Sequence, residues 1–245
     1  GGIALGLTGY TYLAARLFPI PLGLALAWDW LRQSPDRRRR MGRHLVIVLA
    51  AAVLTFAPLG SFFLRNPGAF TTRIDQVAAS TWQAALRGIL RCFIALAFPG
   101  RGDPYVRFNQ PGLPVMDAGA VVFSVLGVWA LLRQRGRSPH QEAAVLLVLV
   151  GTWVMLLPSA LATAEITPSN LRMVGLFPMI AVLPGLGVAF VLQKFGRWLD
   201  TWGFHAGFLH PFLLSAPITQ ALLLALVVVG ALRTGVIYAR WARSS

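Results

Sequence analysis

The chain has 245 residues, of which 56% are hydrophobic and 12% charged, with a mean hydropathy of +0.66 and a formal net charge of +14. Several apolar runs approach the ~20 residues that a bilayer-spanning helix requires, so this composition excludes a soluble protein. Such a charge suggests nucleic-acid binding in a soluble chain. Here, however, the arginines cluster in short segments between apolar runs, as the positive-inside bias produces. We therefore expect a membrane protein with no nucleic-acid partner.

Seven apolar stretches are predicted to cross the membrane as helices, which makes the chain an all-α polytopic membrane protein with one transmembrane domain over residues 1–245. The opening residues have the character of the end of a spanning helix. We therefore expect a truncated first span and an internal fragment of a longer protein. In chain order, the stretches cover residues 1–11, 17–31, 45–63, 118–132, 143–157, 171–192 and 212–232.

The segments between these spans predict which side of the membrane each one faces. Residues 32–44 carry six arginines, a density that marks the cytoplasmic side; an arm that binds nucleic acid is the alternative interpretation. Residues 193–211, rich in Trp and Phe, are predicted to form an inner loop that lies in the headgroup region. Residues 64–117 and 158–170 then face outward. Lys and Arg are about equally frequent on the two sides, so this orientation rests on the short length of the inner loops.

Residues 64–117, called the long polar interval below, are the predicted working surface, because they hold six arginines, three aspartates and a Gly/Pro-rich run. Within this interval, residues 74–96 have helical periodicity, which predicts an outer juxtamembrane helix with its basic face toward water. A surface helix that is attracted to anionic lipid and has no further task is the alternative. The apolar stripe consists of Ile74, Ala78, Trp82, Ala85, Ile89, Phe93 and Leu96, and the opposite stripe of Arg73, Gln76, Ser80, Gln83, Arg87 and Arg91.

Few motifs point to a particular chemistry. No Walker, Rossmann, HExxH or nucleophile-elbow pattern is present. No Cys/His spacing predicts a zinc site, and a divalent metal is left open as a cofactor. No predicted span carries a charge near its middle, which disfavours an ion-coupled transporter. The carboxylates predicted to face outward, which form the possible acid/base set, are Asp75, Asp103, Asp117 and Glu165.

Four segments resemble bacterial membrane glycosyltransferases of the C-type fold: TGYTYLAARLFPI (8–20), NPGAFTTRIDQV (66–77), GDPYVRFNQPGLPVMD (102–117) and EITPSNLRMVGLFP (165–178). These enzymes are similar to dolichyl-phosphate-mannose protein mannosyltransferases and aminoarabinose lipid A transferases. The final ARWARSS (239–245) resembles the strand-like lead into an outer soluble domain of some members. The resemblance implies transfer of a sugar from a polyprenyl-phosphate donor, with a lipid-linked monophosphate or diphosphate, to a protein, lipid or glycan at the outer face of the bacterial inner membrane.

The resemblance also implies roles for particular residues. Such enzymes use a carboxylate as base on the acceptor hydroxyl and cationic groups on the phosphate leaving group. Arg, present 21 times against a single Lys, fits phosphate in a two-pronged way. Because the principal catalytic Asp is expected upstream of Gly1, the chain is not expected to catalyse transfer alone. The residues assigned to the donor phosphate are Arg107, Arg172, Arg73, Arg87 and Arg91, and the supporting residues are Asp103, Asn109 and Glu165.

Simpler interpretations exist for several of these residues. Glu165 is placed to pair with Arg172 across a turn, and exposed pairs of this kind are individually weak. Asn109 has the turn chemistry that shapes a loop, and Asp117 favours the start of the helix that follows. From a different class of protein, the alternative function is a non-enzymatic transporter or lipid-handling membrane protein whose outer loop binds anionic headgroups of membrane lipids.

Overall fold

The computed structural model describes residues 1–11, 13–69, 72, 76, 78–105, 109–134, 136–164, 166–201, 236 and 239. Over these residues the regular structure is entirely helical and contains no strand, which confirms the predicted all-α class. The α-helices are α1 Gly2–Leu7, α2 Pro19–Arg32, α3 Pro35–Arg65, α4 Trp82–Ala97, α5 Ala118–Arg133, α6 Pro139–Ala160 and α7 Phe177–Thr201, with 3₁₀ turns at Thr8–Tyr10, Leu13–Leu17 and Val174–Leu176.

Three helical stretches are long and apolar enough to cross a membrane: Pro35–Arg65, Pro139–Ala160 and Val174–Phe195. They coincide with predicted spans and indicate a membrane protein. The helices found at three other predicted spans, α1, α2 and α5, have 6, 14 and 16 residues, which is short of the ~20 that a hydrocarbon core requires. The last predicted span, 212–232, lies outside the described residues, so the count of seven stays a prediction.

Two segments predicted as loops are partly helical. Most of the basic segment 32–44 forms the first turns of α3, which begins at Pro35 and has 31 residues. Proline is favoured at the first helical position, and arginines are good helix formers. At 1.5 Å per residue α3 is about 46 Å long, well beyond the ~30 Å hydrocarbon core. Similarly, α7 continues to Thr201, so the predicted inner loop 193–211 begins as helix; residues 202–211 lie outside the described part.

The chain divides into two compact units, one formed by residues 1–117 and 134–182 and the other by 118–133 and 183–245. In the first unit, α1 packs on α3, while α2 and α4 both pack on α6. In the second unit, Gly127 and Gly187 each lie against backbone of the other helix, at Leu183 and Phe123. Small residues at such contacts allow the close helix approach typical of membrane proteins. The buried core of the first unit consists of Cys92, Leu96, Met155, Leu156, Ala160, Met173, Leu176 and Ile180.

Polar side chains also join α2 to α6. The buried carboxylate of Asp29 lies 2.7 Å from Nδ1 of His140 and accepts a hydrogen bond of 2.7 Å from Nε2 of Gln33. Glu142 accepts hydrogen bonds from Nε1 of Trp28 at 3.0 Å and from Nε of Arg32 at 3.3 Å. Asp29 therefore has the partners that a buried polar group requires, and the partly exposed Glu142 links the same two helices.

Helix α4 begins at Trp82, later than the start near residue 74 that the periodicity predicts. Thr81 has an extended backbone, and its side chain accepts a hydrogen bond of 3.2 Å from the backbone N–H of Ala84. Ala79 instead donates its N–H to the carbonyl of Leu161 at 2.7 Å. The cap and this loop contact start the helix at Trp82, whereas Ile74 and its neighbours 73, 75 and 77 lie outside the described residues.

The described helix has three faces instead of the two that its sequence predicts. One face is exposed and carries Arg87 and Arg91. The apolar stripe is split, because close packing on α6 selects the small residues of α4 and turns larger ones outward. The buried face consists of Gly88, Cys92, Ala95 and Leu96, and the exposed apolar face of Trp82, Leu86, Leu90 and Phe93.

Gly88→Ala is expected to destabilise the first unit, because the added methyl group collides with the carbonyl oxygen of Ala160 on α6. Overpacking of this kind costs about 1–3 kcal/mol. Unfolding of the detergent-solubilised protein, followed by tryptophan fluorescence, measures the effect. The matched control is Gly23→Ala, where a methyl group meets nothing within 4 Å and is expected to stabilise α2 by about 0.5–1 kcal/mol. Equal stabilities of the two variants would contradict the role of Gly88.

Candidate functional site

The Gly/Pro-rich run at residues 100–117 folds back on itself at the end of α4. The N–H groups of Gly100 and Gly102 donate to the carbonyl of Gly112 at 2.8 and 3.3 Å. Gly112 has a φ of +77°, a conformation that L side chains rarely adopt. Further along, Val115 and Met116 donate their N–H groups to the last-turn carbonyls of α4 at 3.3 and 2.8 Å. The run therefore caps the helix end, which would otherwise leave carbonyls without donors.

A buried carboxylate joins this run to the segment 158–170. Asp103 is 1% exposed. Its Oδ1 accepts the N–H of Tyr105 at 2.8 Å, and its Oδ2 accepts the N–H of Asn170 at 2.7 Å. A buried carboxylate is costly without such hydrogen bonds. The hydrogen bond between Asp103 and Asn170 therefore holds together two segments that are 67 residues apart in sequence. The two parts predicted to face outward thus meet in the first unit.

Asn109 also acts on the backbone of the run. Its Nδ2 donates to the carbonyl of Asp103 at 3.0 Å and to that of Leu113 at 2.8 Å. These contacts agree with the simpler interpretation of Asn109 as a residue that shapes the loop. Among the described residues, Asp103 and Asn109 thus shape the loop that carries Arg101, while their assignment as supporting residues of a donor site stays a prediction.

A cleft of about 300 Å³, called the basic cleft below, lies beside α4. Arg87 and Arg91, one helical turn apart, both line it, and Nε of Arg87 donates to the carbonyl of Gln83 at 3.3 Å. Residues four apart on a helix lie on the same side, which is why both arginines line the same cleft. No acidic side chain is among the described residues that line it, which are Ala78, Ser80, Ala84, Arg87, Gly88, Arg91, Thr163, Ala164 and Thr167.

A larger space of about 720 Å³, called the adjoining cleft below, continues from the first. The two clefts share Arg91 and Thr167, and the adjoining cleft adds Arg101 from the Gly/Pro-rich run. Its apolar lining comes from Ile94 and Phe98 and from several prolines. The full lining consists of Arg91, Ile94, Phe98, Pro99, Gly100, Arg101, Gly102, Pro104, Thr167 and Pro168.

The chemistry that these clefts offer is the binding of an anion. A guanidinium group donates two parallel hydrogen bonds to phosphate or carboxylate oxygens. The hydroxyl groups of Ser80 and Thr163 add neutral donors in the basic cleft, whereas that of Thr167 donates to the carbonyl of Ala162 at 2.9 Å. A concave surface that is lined by positive charge and holds no carboxylate among its described residues attracts anionic ligands.

The structure brings together two of the five arginines assigned to phosphate, Arg87 and Arg91. Arg172 donates its Nη1 to the carbonyl of Ile166 at 3.1 Å and is not among the described residues that line either cleft. Arg73, Arg107 and Glu165 lie outside the described residues, so their assignments stay predictions.

Among the described arginines that line the clefts, Arg101 is the one that the sequence analysis did not single out. Its position between two glycines in a Gly/Pro-rich run was visible, but no periodic pattern relates a loop residue to a helix face. Only the folding of that run against α4 and residues 167–168 places Arg101 in the same space as Arg91.

The described residues do not form a metal site. Within them, no group of three or more His, Cys, Asp and Glu side chains is arranged to hold a metal ion. Both carboxylate oxygens of Asp103 already accept backbone N–H groups. These residues therefore do not fit the divalent metal that the sequence analysis left open.

Cys92 lies on the buried face of α4, and its Sγ donates to Oγ of Ser159 at 3.4 Å. Burial raises the pKa of this thiol, an effect that the hydrogen bond to Ser159 opposes but does not cancel. Because the thiolate is the reactive form, we expect no labelling of the folded protein by a maleimide at pH 7–8 and full labelling after denaturation. A Gln83→Cys, Cys92→Ser variant, with its thiol on the exposed polar side of α4, is the control and should react at once. Rapid labelling of Cys92 in the folded protein would contradict its burial.

Asp103→Ala is expected to loosen the junction between the two segments, because the N–H groups of Tyr105 and Asn170 lose their acceptor. Each buried group left without a partner costs about 1–3 kcal/mol. Asp103→Asn should have a smaller effect, since one amide oxygen can still accept. Denaturant unfolding and limited proteolysis within residues 100–117 measure both variants. Asp36→Ala, at an exposed acidic residue in the first turn of α3, is the control; an Asp103→Ala variant as stable as this control would refute the role of the carboxylate.

Comparison of the chain with protein-family models, with curated proteins and with solved structures finds no match. The function of the basic cleft must therefore be argued from its own chemistry. The resemblance of four short segments to membrane glycosyltransferases stays a hypothesis.

Proposed function

We propose that this protein is a multi-pass membrane glycosyltransferase that transfers a sugar from a polyprenyl-phosphate donor to a protein, lipid or glycan at the outer face of a bacterial inner membrane. The observation that carries the proposal is the basic cleft. Arg87 and Arg91 line one space with the hydroxyl groups of Ser80 and Thr163, and no carboxylate is among its described lining residues. A phosphate that links a sugar to a lipid is the anion that suits such a site in a membrane protein.

The reaction itself explains the need for arginine. The acceptor hydroxyl oxygen bonds to the anomeric carbon of the sugar while the bond from that carbon to the phosphate oxygen breaks. The electron pair of the broken bond stays on the phosphate, and a carboxylate base takes up the acceptor proton. Negative charge therefore grows on the departing lipid phosphate. Arg87 and Arg91 are assigned to stabilise that charge by hydrogen bonds aimed at the phosphate oxygens.

The exposed apolar face of α4 favours a lipid-linked ligand over a soluble one. Leu86, Leu90 and Phe93 lie beside the arginines on the same helix, and the ring of Phe93 lies 5.0 Å from that of Trp153 on α6. A large exposed apolar patch marks a surface that contacts a protein, a membrane or an apolar ligand. With a phosphate at the arginines, the hydrocarbon chain of the same molecule has an apolar surface to follow.

The alternative is a lipid-handling protein that performs no transfer. The arginines of the basic cleft and the exposed apolar face of α4 would suit the binding of a lipid phosphate equally well without any transfer. Binding and turnover therefore have to be measured separately. A protein that binds polyprenyl phosphate with the help of Arg91 but transfers no sugar from any donor would have the alternative function.

Arg91→Ala is expected to reduce sugar transfer about 10²–10³-fold, the usual effect of removing one donor that stabilises a developing anion. Arg91→Lys should recover only part of the rate, because an ammonium group lacks the planar fork. The assay follows labelled sugar from a polyprenyl-phosphate donor into acceptor, using membranes that contain the product of the full-length gene, which is expected to supply the catalytic carboxylate. Arg43→Ala, at an exposed arginine of α3, is the matched control and should retain the parent rate. Equal turnover in Arg91→Ala and Arg43→Ala would remove the basic cleft from the mechanism.

A further inference from the structure

The two clefts together present more positive charge than one phosphate can use. Arg87 lines only the basic cleft, Arg101 lines only the adjoining cleft, and Arg91 lines both. Thr167 likewise belongs to both linings. Three arginines thus line two clefts that meet at Arg91 and Thr167.

From this arrangement we infer that the ligand of the site is a lipid diphosphate, with one phosphate in the basic cleft and the other in the adjoining cleft. The inference rests on the proposed function and specifies its donor. Arg87 and Arg91 bind the first phosphate, while Arg91 and Arg101 bind the second. A monophosphate in the basic cleft would leave Arg101 without an anion.

The backbone around Arg101 is held in a way that suits a binding role. Its own N–H donates to the carbonyl of Phe98 at 3.2 Å, and the N–H groups of both flanking glycines donate to Gly112. The turn that carries Arg101 is therefore ordered by the protein alone. A backbone that is already ordered before binding reduces the entropy that is lost when a ligand binds.

Charge balance gives the second argument. Among the described residues that line the adjoining cleft there is no acidic side chain, although the nearby carboxylate of Asp103 is buried and accepts backbone N–H groups. At about 720 Å³ the adjoining cleft has the size of ordinary small-molecule sites, so it has room for a second phosphate and part of the group attached to it.

The test compares two probes of equal chain length, a polyprenyl monophosphate and a polyprenyl diphosphate, bound to the purified protein in lipid nanodiscs. The parent protein is expected to bind the diphosphate at least about tenfold more tightly, as one further charged hydrogen-bonding group implies. Arg101→Ala should abolish that preference and leave the affinity for the monophosphate within about twofold. Arg87→Ala should weaken both probes, and Arg43→Ala neither. Thermal unfolding of each variant checks that the fold is retained.

The outcomes separate this inference from the proposed function. Equal affinities of the parent protein for the two probes, or equal weakening of both by Arg101→Ala, would overturn the diphosphate inference while the Arg91 turnover assay still stands. If inorganic diphosphate binds as tightly as the lipid form, the ligand is a soluble diphosphate and the inference of a lipid ligand is wrong. If neither lipid binds the parent protein, the proposed function fails together with the inference.

Discussion

The close contact of Gly88 with the backbone of Ala160 is the constraint on which the candidate site depends. In a membrane protein there is little hydrophobic force between helices, so association relies on close van der Waals packing. A side chain at position 88 would push α4 away from α6. With the contact in place, Arg87 and Arg91 lie beside the segment that follows α6 and share a cleft with Thr163 and Thr167.

The buried carboxylate of Asp103 is the second contact on which the site depends. By accepting N–H groups from its own loop and from Asn170, it holds the Gly/Pro-rich run against the same segment. Arg101 enters the cleft next to Arg91 as a result. Asp103, which is not among the described residues that line either cleft, thus fixes the loop that carries Arg101, and its role in the described contacts is structural.

The three faces of α4 connect packing to the proposed chemistry. Small residues contact α6, large apolar residues are exposed, and arginines line the clefts. A lipid-linked phosphate has the same combination of a hydrocarbon part and a compact anion. Under the proposed function, a single helix would contact the protein core, the hydrocarbon chain and the phosphate of the ligand at once.

By itself, the sequence determined the helical class, the three longest apolar helices and the clustering of arginines in the long polar interval, because composition and helical period are local properties of the chain. It did not determine that α4 begins at Trp82, that its apolar stripe splits, or that Arg101 joins Arg91 while Arg172 bonds to its own loop at Ile166. Those outcomes depend on the cap at Thr81, the approach of Gly88 to Ala160 and the reach of Asp103 to Asn170. Contacts between residues far apart in sequence leave no periodic trace, so only the tertiary structure decided which charges share a surface.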